Sequence, residues 1–460
     1  MELTTAELLT YIQECPSPYH TVAASAKRLQ AADFMELAMD QAWNLKRGGR
    51  YFVPVYGSTL LAFTVGQTDG PLRMAAAHTD FPCFRLKPQP GVAAEGYGKL
   101  NVEKYGGLIL RSWLDRPLSL AGKVVIKGKD AFHPETRLVD IGRPLLTIPS
   151  LAIHMNREVN DNGALNPQTD MQPLIALFGK EEVTGDFFVD WLANELSVSA
   201  ADILSYELST YPVESGCTLG LSGEMISSPR LDNLTSAKAC LDGILAADNP
   251  DGLRLIALFD NEEVGSNTKQ GAGSAVLMQV LERIYASLAK ERCQLLQDIA
   301  AGFLLSVDVA HALHPNYADK NDPAVKPVMG GGLALKQAAS QSYAGDAEAV
   351  AVVRGLCEEH SIAWQQFVNR SDSKGGSTLG SIASALVPVR TMDIGVPILA
   401  MHSARETMGT ADQQALTQLL TVFLKQSRRI VPKSVTFCLL FPDRWSIMKI
   451  GILCSGMYYV

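Results

Sequence analysis

Four apolar runs in this chain end on a carboxylate or an imidazole: "LRMAAAHTDFP", "LRLIALFDNEEVG", "GFLLSVDVAHA" and "VPILAMHSARE". Runs that stay apolar, with no polar alternation, read as strands buried on both faces in a sheet covered by helices. In open parallel sheets, ligands bind at the carboxyl ends of the strands. A chain that places His78 and Asp80, Glu262 and Glu263, Asp308, and His402 at such ends is therefore constrained toward one polar site on an α/β sheet. "SPRLDNL" adds Asp232 at the start of a helix, where an N-cap is the competing reading.

Around these runs the texture alternates. The opening "MELTTAELLTYIQECPSPYHTVAASAKRLQAADF" predicts two helices separated by a turn at Pro16 and Pro18, with Thr5 as a cap for the first. "GGRYFVPVYGSTLLAFTVG" predicts two strands turning at Gly57-Ser58. From about residue 88 to 228, short β-like runs broken by Gly, Pro and Asp surround one helix, "FFVDWLANELSVSAADILSYEL". From Leu231 helices and strands alternate again. The economical organisation is an α/β domain (1–87 and 229–431) interrupted by a β-rich insert (88–228), with a separate tail, 432–460. The end of that tail, "SIMKIGILCSGMYYV", reads as a strand or a docked segment.

A length of 460 residues supports two domains. The net charge of −8, with no basic stripe, argues against a nucleic-acid partner. The eight cysteines are scattered without a Cys-x-x-Cys pair, so neither a zinc ribbon nor a redox motif is indicated, and a reducing cytoplasm is the expected compartment. No basic, then apolar, leader opens the chain, and no run reaches the roughly 20 apolar residues of a membrane span.

Taken singly, each strand-end His or Asp reads as a cap, a turn or a satisfied structural residue. Gathered in one site, the carboxylates cannot be buried without cations. Two imidazoles with three carboxylates and no thiolate suit one or two divalent ions such as zinc, manganese or cobalt. With two ions, one carboxylate must bridge them. The side chains of adjacent glutamates point apart in an extended segment, which suits two duties: one ligates a metal, the other takes a proton from bound water.

The stretches "AAHTDFPCFRLKP", "LAIHMNREVN", "SPRLDNLTSA", "LFDNEEVGSNTKQGAGS", "SVDVAHALHPNYADK", "SDSKGGSTLGSI" and "MDIGVPILAMHSARE" resemble the M18 aminopeptidases, the aspartyl aminopeptidase family. They occur in family order over about residues 5–430. The resemblance implies an α/β/α metallopeptidase catalytic domain interrupted by a β-rich dimerisation domain. It implies two divalent ions per subunit, most simply Zn2+ with Co2+ or Mn2+ as alternatives, held by His78, Asp232, Glu263, Asp308 and His402. Asp232 would bridge, Glu262 would be the general base, and Asp80 would orient His78. The substrates would be peptides with a free N-terminus, with a preference for aspartate or glutamate there. His311 and Lys336 are the candidates for holding that side chain, and Tyr343, read as sharing a Gly-rich loop with Lys336, is a candidate oxyanion donor. His154 matches a histidine that reaches a neighbouring subunit's site, and dimers would build a dodecamer. Gly375-Gly376 reads either as room for substrate backbone or as a plain turn into a helix. Residues 432–460 match nothing in the family, and the Gly-rich spacing of 86–108 carries no assignment. The alternatives are a related metal-dependent carboxypeptidase or deacylase, and a catalytically silent assembly protein.

Overall fold

The computed structural model describes residues 2–161, 163–179, 186–248, 251–373, 375–429, 438–441 and 444–447. It divides into two units, Met1–Ser427 and Arg428–Val460. In the second, Cys438–Phe441 pairs antiparallel with Arg444–Ile447. The remainder of the tail reading lies outside the described residues.

The first unit is built on a nine-stranded sheet. Its order is Met35–Glu36, Arg50–Val55, Thr59–Val65, Asp251–Phe259, Thr68–His78, Phe303–Val307, Arg390–Gly395, Leu333–Gln337, Trp364–Val368. The four middle strands, Asp251–Phe259 through Arg390–Gly395, are mutually parallel. In register, Phe259 lies opposite His78 and Val307 opposite Ile394, so their carboxyl ends open on one edge of the sheet.

Alternation within these strands assigns the two faces. Leu72, Met74 and Ala76 pack with Leu255 and Ala257 against the helices Val276–Ser287, Arg292–Ala300 and Leu379–Leu386. Helices Leu231–Leu245 and Thr410–Lys425 cover the other face. Arg254 tethers that cover. It is fully buried, and its guanidinium donates to the carbonyls of Leu424 (2.6 Å), Pro71 (2.9 Å) and Gln426 (3.1 Å) and to the Asp251 carboxylate (3.1 Å). A buried guanidinium is tolerable only when its donors are satisfied in this way.

A six-stranded sheet, ordered Glu135–Asp140, Leu118–Ile126, Ile203–Pro212, Cys83–Ala94, Tyr97–Tyr105, Leu174–Leu177, forms the β-rich part and packs on the helix Phe187–Leu196. Its first strand begins at Cys83 and runs through residue 88. Cys217–Leu219 and Met225–Ser228 lie in neither large sheet. They join Glu406–Gly409, Pro397–Leu399 and Ala310–His311 in a third sheet beside the site.

Locally, the helix starts follow capping chemistry. Ser17 caps Pro18–Ala31, with Pro at its first turn, and the Asp346 carboxylate accepts from Ala349 N–H at 2.7 Å. Thr5 is not a cap: the first helix starts at Glu2, so Thr5 lies inside it and is buried. Cys15, Cys83, Cys240 and Cys357 are buried free thiols. No helix among the described residues is long and apolar enough to cross a membrane.

Candidate metal centre

His78 is the last residue of its strand. Beside it, Phe259 passes through Asp260 and Asn261 into a single 3-10 turn, Glu262–Val264. Asp308 follows Val307, His402 follows the short strand Pro397–Leu399, and Asp232 sits in the first turn of Leu231–Leu245. Three of the turns use left-handed backbone at a non-glycine residue: Arg230, Asn261 and His402. Such conformations are uncommon and concentrate at sites where a side chain must be aimed.

The six side chains converge. Asp232 turns Oδ1 toward His78 Nε2 at 3.4 Å and Oδ2 toward His402 Nε2 at 3.3 Å. Asp308 Oδ1 lies 3.5 Å and Glu262 Oε2 4.0 Å from His78 Nε2, and Glu263 Oε2 lies 3.4 Å from His402 Nε2. Three overlapping groups of potential ligand atoms result: His78–Asp232–Asp308, Asp232–Glu263–His402 and His78–Glu262–Glu263.

Both imidazoles have a defined tautomer. His78 Nδ1 is 2.9 Å from the Asp80 carbonyl, and His402 Nδ1 is 2.9 Å from the Gly107 carbonyl. A carbonyl only accepts, so each Nδ1 carries a proton and each Nε2 is directed at the cluster. The Asp80 carboxylate approaches His78 Nδ1 to 3.4 Å, yet its hydrogen bonds go elsewhere. Oδ1 accepts from Glu262 N–H (3.2 Å), while Oδ2 accepts from Glu263 N–H (3.1 Å) and the Tyr105 hydroxyl (2.7 Å). Asp80 thus fixes the backbone of the paired glutamates as well as standing beside His78. Asp260 is a buried turn residue: its carboxylate accepts from Asn261 N–H and its own N–H donates to Thr59 Oγ1.

The electrostatics are those of a site short of positive charge. Burial first, then Asp232, holds the Glu263 carboxyl well above its ordinary range. Burial, with Asp308, Asp80 and Asp232, pushes Glu262 up to about 8. Burial opposes charge on the histidines, but the carboxylates outweigh it: His402 rises to about 10 and His78 well above its ordinary value. Asp232 is held down, against burial, by the two histidines. The carboxylates thus favour positive charge at both Nε2 positions, which is what divalent cations would supply. Asp232 Oδ1 and Glu263 Oε1 are buried without a hydrogen-bond partner. An orphaned Asp232 oxygen facing His78 Nε2, a second orphaned oxygen on Glu263, and two imidazoles whose Nδ1 atoms are already hydrogen-bonded fit an N/O-coordinated divalent metal.

The cluster floors a cavity of about 680 Å³. His311, Lys336 and Tyr343 line it, as does Gly376, whose Cα faces open space. Lys336 differs from the loop expected for it. It is buried in the strand Leu333–Gln337, and its Nζ lies 2.9 Å from the Val309 carbonyl, 3.2 Å from the Asp308 carbonyl and 3.5 Å from Asp308 Oδ2. The Gly-rich flank ends just before the strand begins. Tyr343 presents its ring to Lys336 Nζ at 4.8 Å and accepts from Asn369 at 3.3 Å through its hydroxyl. His154 is not brought to the cavity; it lies in an exposed turn of the β-rich part.

Sequence reasoning missed Glu406, Tyr105 and Gly107. Buried Glu406 accepts from the N–H groups of Asp232 (3.0 Å) and His402 (2.8 Å). The spacing of Glu406, four residues after His402, is its only local signal. Gly106 and Gly107, inside the unassigned 86–108 stretch, pass over the site. An added Cβ at Gly106 would lie 3.2 Å from Glu263 Cβ, and Gly106 is itself left-handed.

A mixed α/β sheet that gathers two oriented imidazoles and four carboxylates beneath one cavity defines a metallohydrolase. The model of the family described as Aminopeptidase I zinc metalloprotease (M18) matches residues 11–424, and the chain belongs to that family. The probable M18 family aminopeptidase 2 of Clostridium novyi is 43% identical over 411 residues, covering 88% of this chain and 95% of that one. Among solved structures, a chain of the cryo-EM structure of the Ape4 and Nbr1 complex superposes with a TM-score of 0.87 at 34% identity, covering 92% of this chain and 85% of that chain. A chain of the S. cerevisiae mApe1 dodecamer structure superposes with a TM-score of 0.79 at 26% identity, covering 91% of this chain and 96% of that chain. The chain is accordingly a metal-dependent aminopeptidase, a peptide hydrolase.

Proposed function

We propose that this aminopeptidase works with two divalent ions, Zn2+ in the first instance, held by His78, Asp232, Glu263, Asp308 and His402, and that it favours peptides beginning with aspartate or glutamate. One observation carries the dinuclear reading: the two oxygens of Asp232 face different histidines, at 3.4 and 3.3 Å. That is the disposition of a carboxylate shared between two ions, with Asp308 completing one group and Glu263 the other. When bound, such ions polarise the scissile carbonyl and acidify water.

The protein's own groups then divide the work. Glu262 borders the cavity with one carboxylate oxygen near His78 and its backbone pinned by Asp80. It takes the proton of the attacking water and returns it to the leaving amine. Asp80, Gly107 and Glu406 hold the ligand-bearing backbones and imidazoles in place. The Lys336 ammonium and His311 line the cavity that receives the N-terminal residue, which supports an acidic preference, and Tyr343 stands beside them as a donor to the oxyanion.

The β-rich part, read as residues 88–228 with its first strand starting at Cys83, is proposed as the dimerisation domain of a dodecamer. The segment around His154 supports it: Leu151, Ile153 and Met155 are all exposed, an unusual run of apolar side chains for a free surface. His154 would then serve a neighbouring subunit's site. Peptides with a free N-terminus are the partners, and the cytoplasm is the proposed compartment, in keeping with free buried thiols.

A panel of aminoacyl fluorogenic substrates, with and without chelator, tests this. Acidic residues should be released fastest, chelator should abolish release, and an N-acetylated peptide should be inert. Glu262→Gln should retain metal while turnover falls by about 10²–10⁴-fold. Release of neutral residues at rates equal to acidic ones would defeat the specificity reading without touching the metal assignment.

A further inference from the structure

Asp393, in the strand Arg390–Gly395, is fully buried and belongs neither to the ligand cluster nor to the lining of the cavity. Its carboxylate nevertheless reaches two segments that wall that cavity. Asp393 Oδ2 accepts the Thr378 hydroxyl at 2.7 Å and also the Ala344 N–H. The Asp393 N–H donates back to the Ala344 carbonyl at 2.8 Å. Ala344 follows Tyr343, and Thr378 ends the run Gly376–Ser377–Thr378; Tyr343 and all three of these residues line the cavity. A further bond, from Thr378 N–H to the Ser342 carbonyl at 3.2 Å, joins the two segments directly.

The local chemistry is arranged around this contact. Thr378 is the N-cap of the helix Leu379–Leu386, yet its side chain makes no capping bond. A threonine there ordinarily accepts an N–H of the first turn; here the hydroxyl is turned to Asp393 instead. In the same turn, an added Cβ at Gly380 would lie 2.7 Å from Asp393 Oδ1 and 2.5 Å from Ser306 Oγ. The absence of a side chain at Gly380 lets the start of the helix sit directly on the carboxylate. Lys336 stands close by. The pairing of Ala334 with Gly395 and of Leu335 with Ile394 brings Lys336 alongside Asp393 at the next position. Burial pushes the Asp393 carboxyl up to about 6, and Lys336 pulls against it. In either protonation state Oδ2 can accept both donors, so the contact does not depend on ionisation.

We propose that Asp393 is a positioning residue for substrate binding: it fastens the Tyr343 segment to the Gly376–Thr378 segment and so fixes the pocket that receives the substrate's N-terminal residue. This rests on the reading of the cavity as the place of that residue, but neither on an acidic preference nor on the number of metal ions. No bond from Asp393 to a proposed metal ligand occurs among the described residues, and the Tyr343 hydroxyl keeps its separate tie to Asn369. Loosening the pocket should therefore act on KM more than on kcat and leave the metal in place.

The test uses the metal-loaded enzyme and aminoacyl fluorogenic substrates. Thr378→Val removes the hydroxyl and keeps the shape; KM should rise about fivefold or more, kcat should stay within about threefold, and metal content should be unchanged. Asp393→Ala should raise KM at least as far, and adding Thr378→Val to it should change nothing more, because both act through one contact. Asp393→Asn, which keeps an acceptor oxygen, should restore KM to within about twofold of the unaltered enzyme. Should Asp393→Ala not fold, Thr378→Val and Asp393→Asn still decide. Gly376→Trp puts a bulky ring where the Cα faces open space, and should block turnover if the cavity holds the N-terminal residue. Full turnover in Gly376→Trp would overturn the cavity reading and the proposal with it. A blocked Gly376→Trp beside an unchanged KM in Thr378→Val would overturn the proposal alone, as would Asp393→Asn raising KM as far as Asp393→Ala.

Discussion

Glu406 holds Asp232 from behind: its carboxylate accepts the Asp232 backbone N–H at 3.0 Å. The same carboxylate accepts the His402 N–H at 2.8 Å, so one buried group ties together two segments that are distant in sequence. Burial, then the nearby Asp232 charge, pushes Glu406 up to about 8, so either protonation state leaves oxygen acceptors for both N–H groups. Glu406→Ala should therefore weaken metal binding about 10–100-fold, the usual effect of removing a group that orients ligands. Glu406→Gln, which keeps one acceptor oxygen, should lose much less. Metal retained after dialysis against graded chelator checks both.

Tyr105 acts on the site through Asp80. Its hydroxyl donates to Asp80 Oδ2 at 2.7 Å and accepts from Asn261 Nδ2 at 2.9 Å. Burial first, then Asp80 and Asp260, pushes that phenol far above its ordinary range, so it remains a donor at any working pH. Tyr105→Phe leaves an Asp80 oxygen and the Asn261 amide short of partners, at a cost of about 1–3 kcal/mol. Because Asp80 positions Glu262, the expected signature is a fall in kcat with KM nearly unchanged. An equal change in both would place the effect on substrate binding instead.

The uneven legibility of this site in the sequence has a physical reason. His78, Glu262, Glu263, Asp308 and His402 were visible because each follows an apolar strand, and parallel strands bring such ends together. Glu406, Tyr105 and Gly107 act on backbone groups or second partners supplied by distant segments, which no local pattern records. The Gly-rich flank of Lys336 reads as a loop, but cross-strand pairing with Trp364–Val368 draws "LALKQ" into the sheet. The β-like texture of residues 88–228 corresponds to strands of the six-stranded sheet, but strand ends are set by pairing partners that local texture does not record. Cys83–Ala94 begins before residue 88, and Met225–Ser228 pairs with Glu406–Gly409, a partner some 180 residues later.

Arg254 gives a stability prediction remote from the chemistry. Its guanidinium joins the strand Asp251–Phe259 to the carbonyls at the end of the helix Thr410–Lys425. Arg254→Ala removes donors from buried carbonyls and leaves space where a fully buried side chain stood. The expected loss is about 3 kcal/mol, read as a lower denaturation midpoint. Activity per folded molecule at low temperature should be unchanged, since Arg254 touches none of the cluster.

Lys336 tests specificity and structure at once. Its ammonium is buried against the Asp308 carboxylate and the Asp308 and Val309 carbonyls, with the Tyr343 ring behind it. Burial works against its charge, but Asp308 and Asp393 outweigh it, so the pKa is raised and the group stays cationic. Lys336→Met keeps the length and removes the charge. If the ammonium receives the substrate's acidic side chain, the ratio of kcat/KM for glutamyl over leucyl substrates should fall at least tenfold, the equivalent of about 1.4 kcal/mol. If it serves only to hold Asp308, both substrates should lose activity together, the ratio should stay fixed, and added metal should restore part of the rate. Measuring the two substrates across a metal titration therefore separates a residue that selects the substrate from one that positions a ligand.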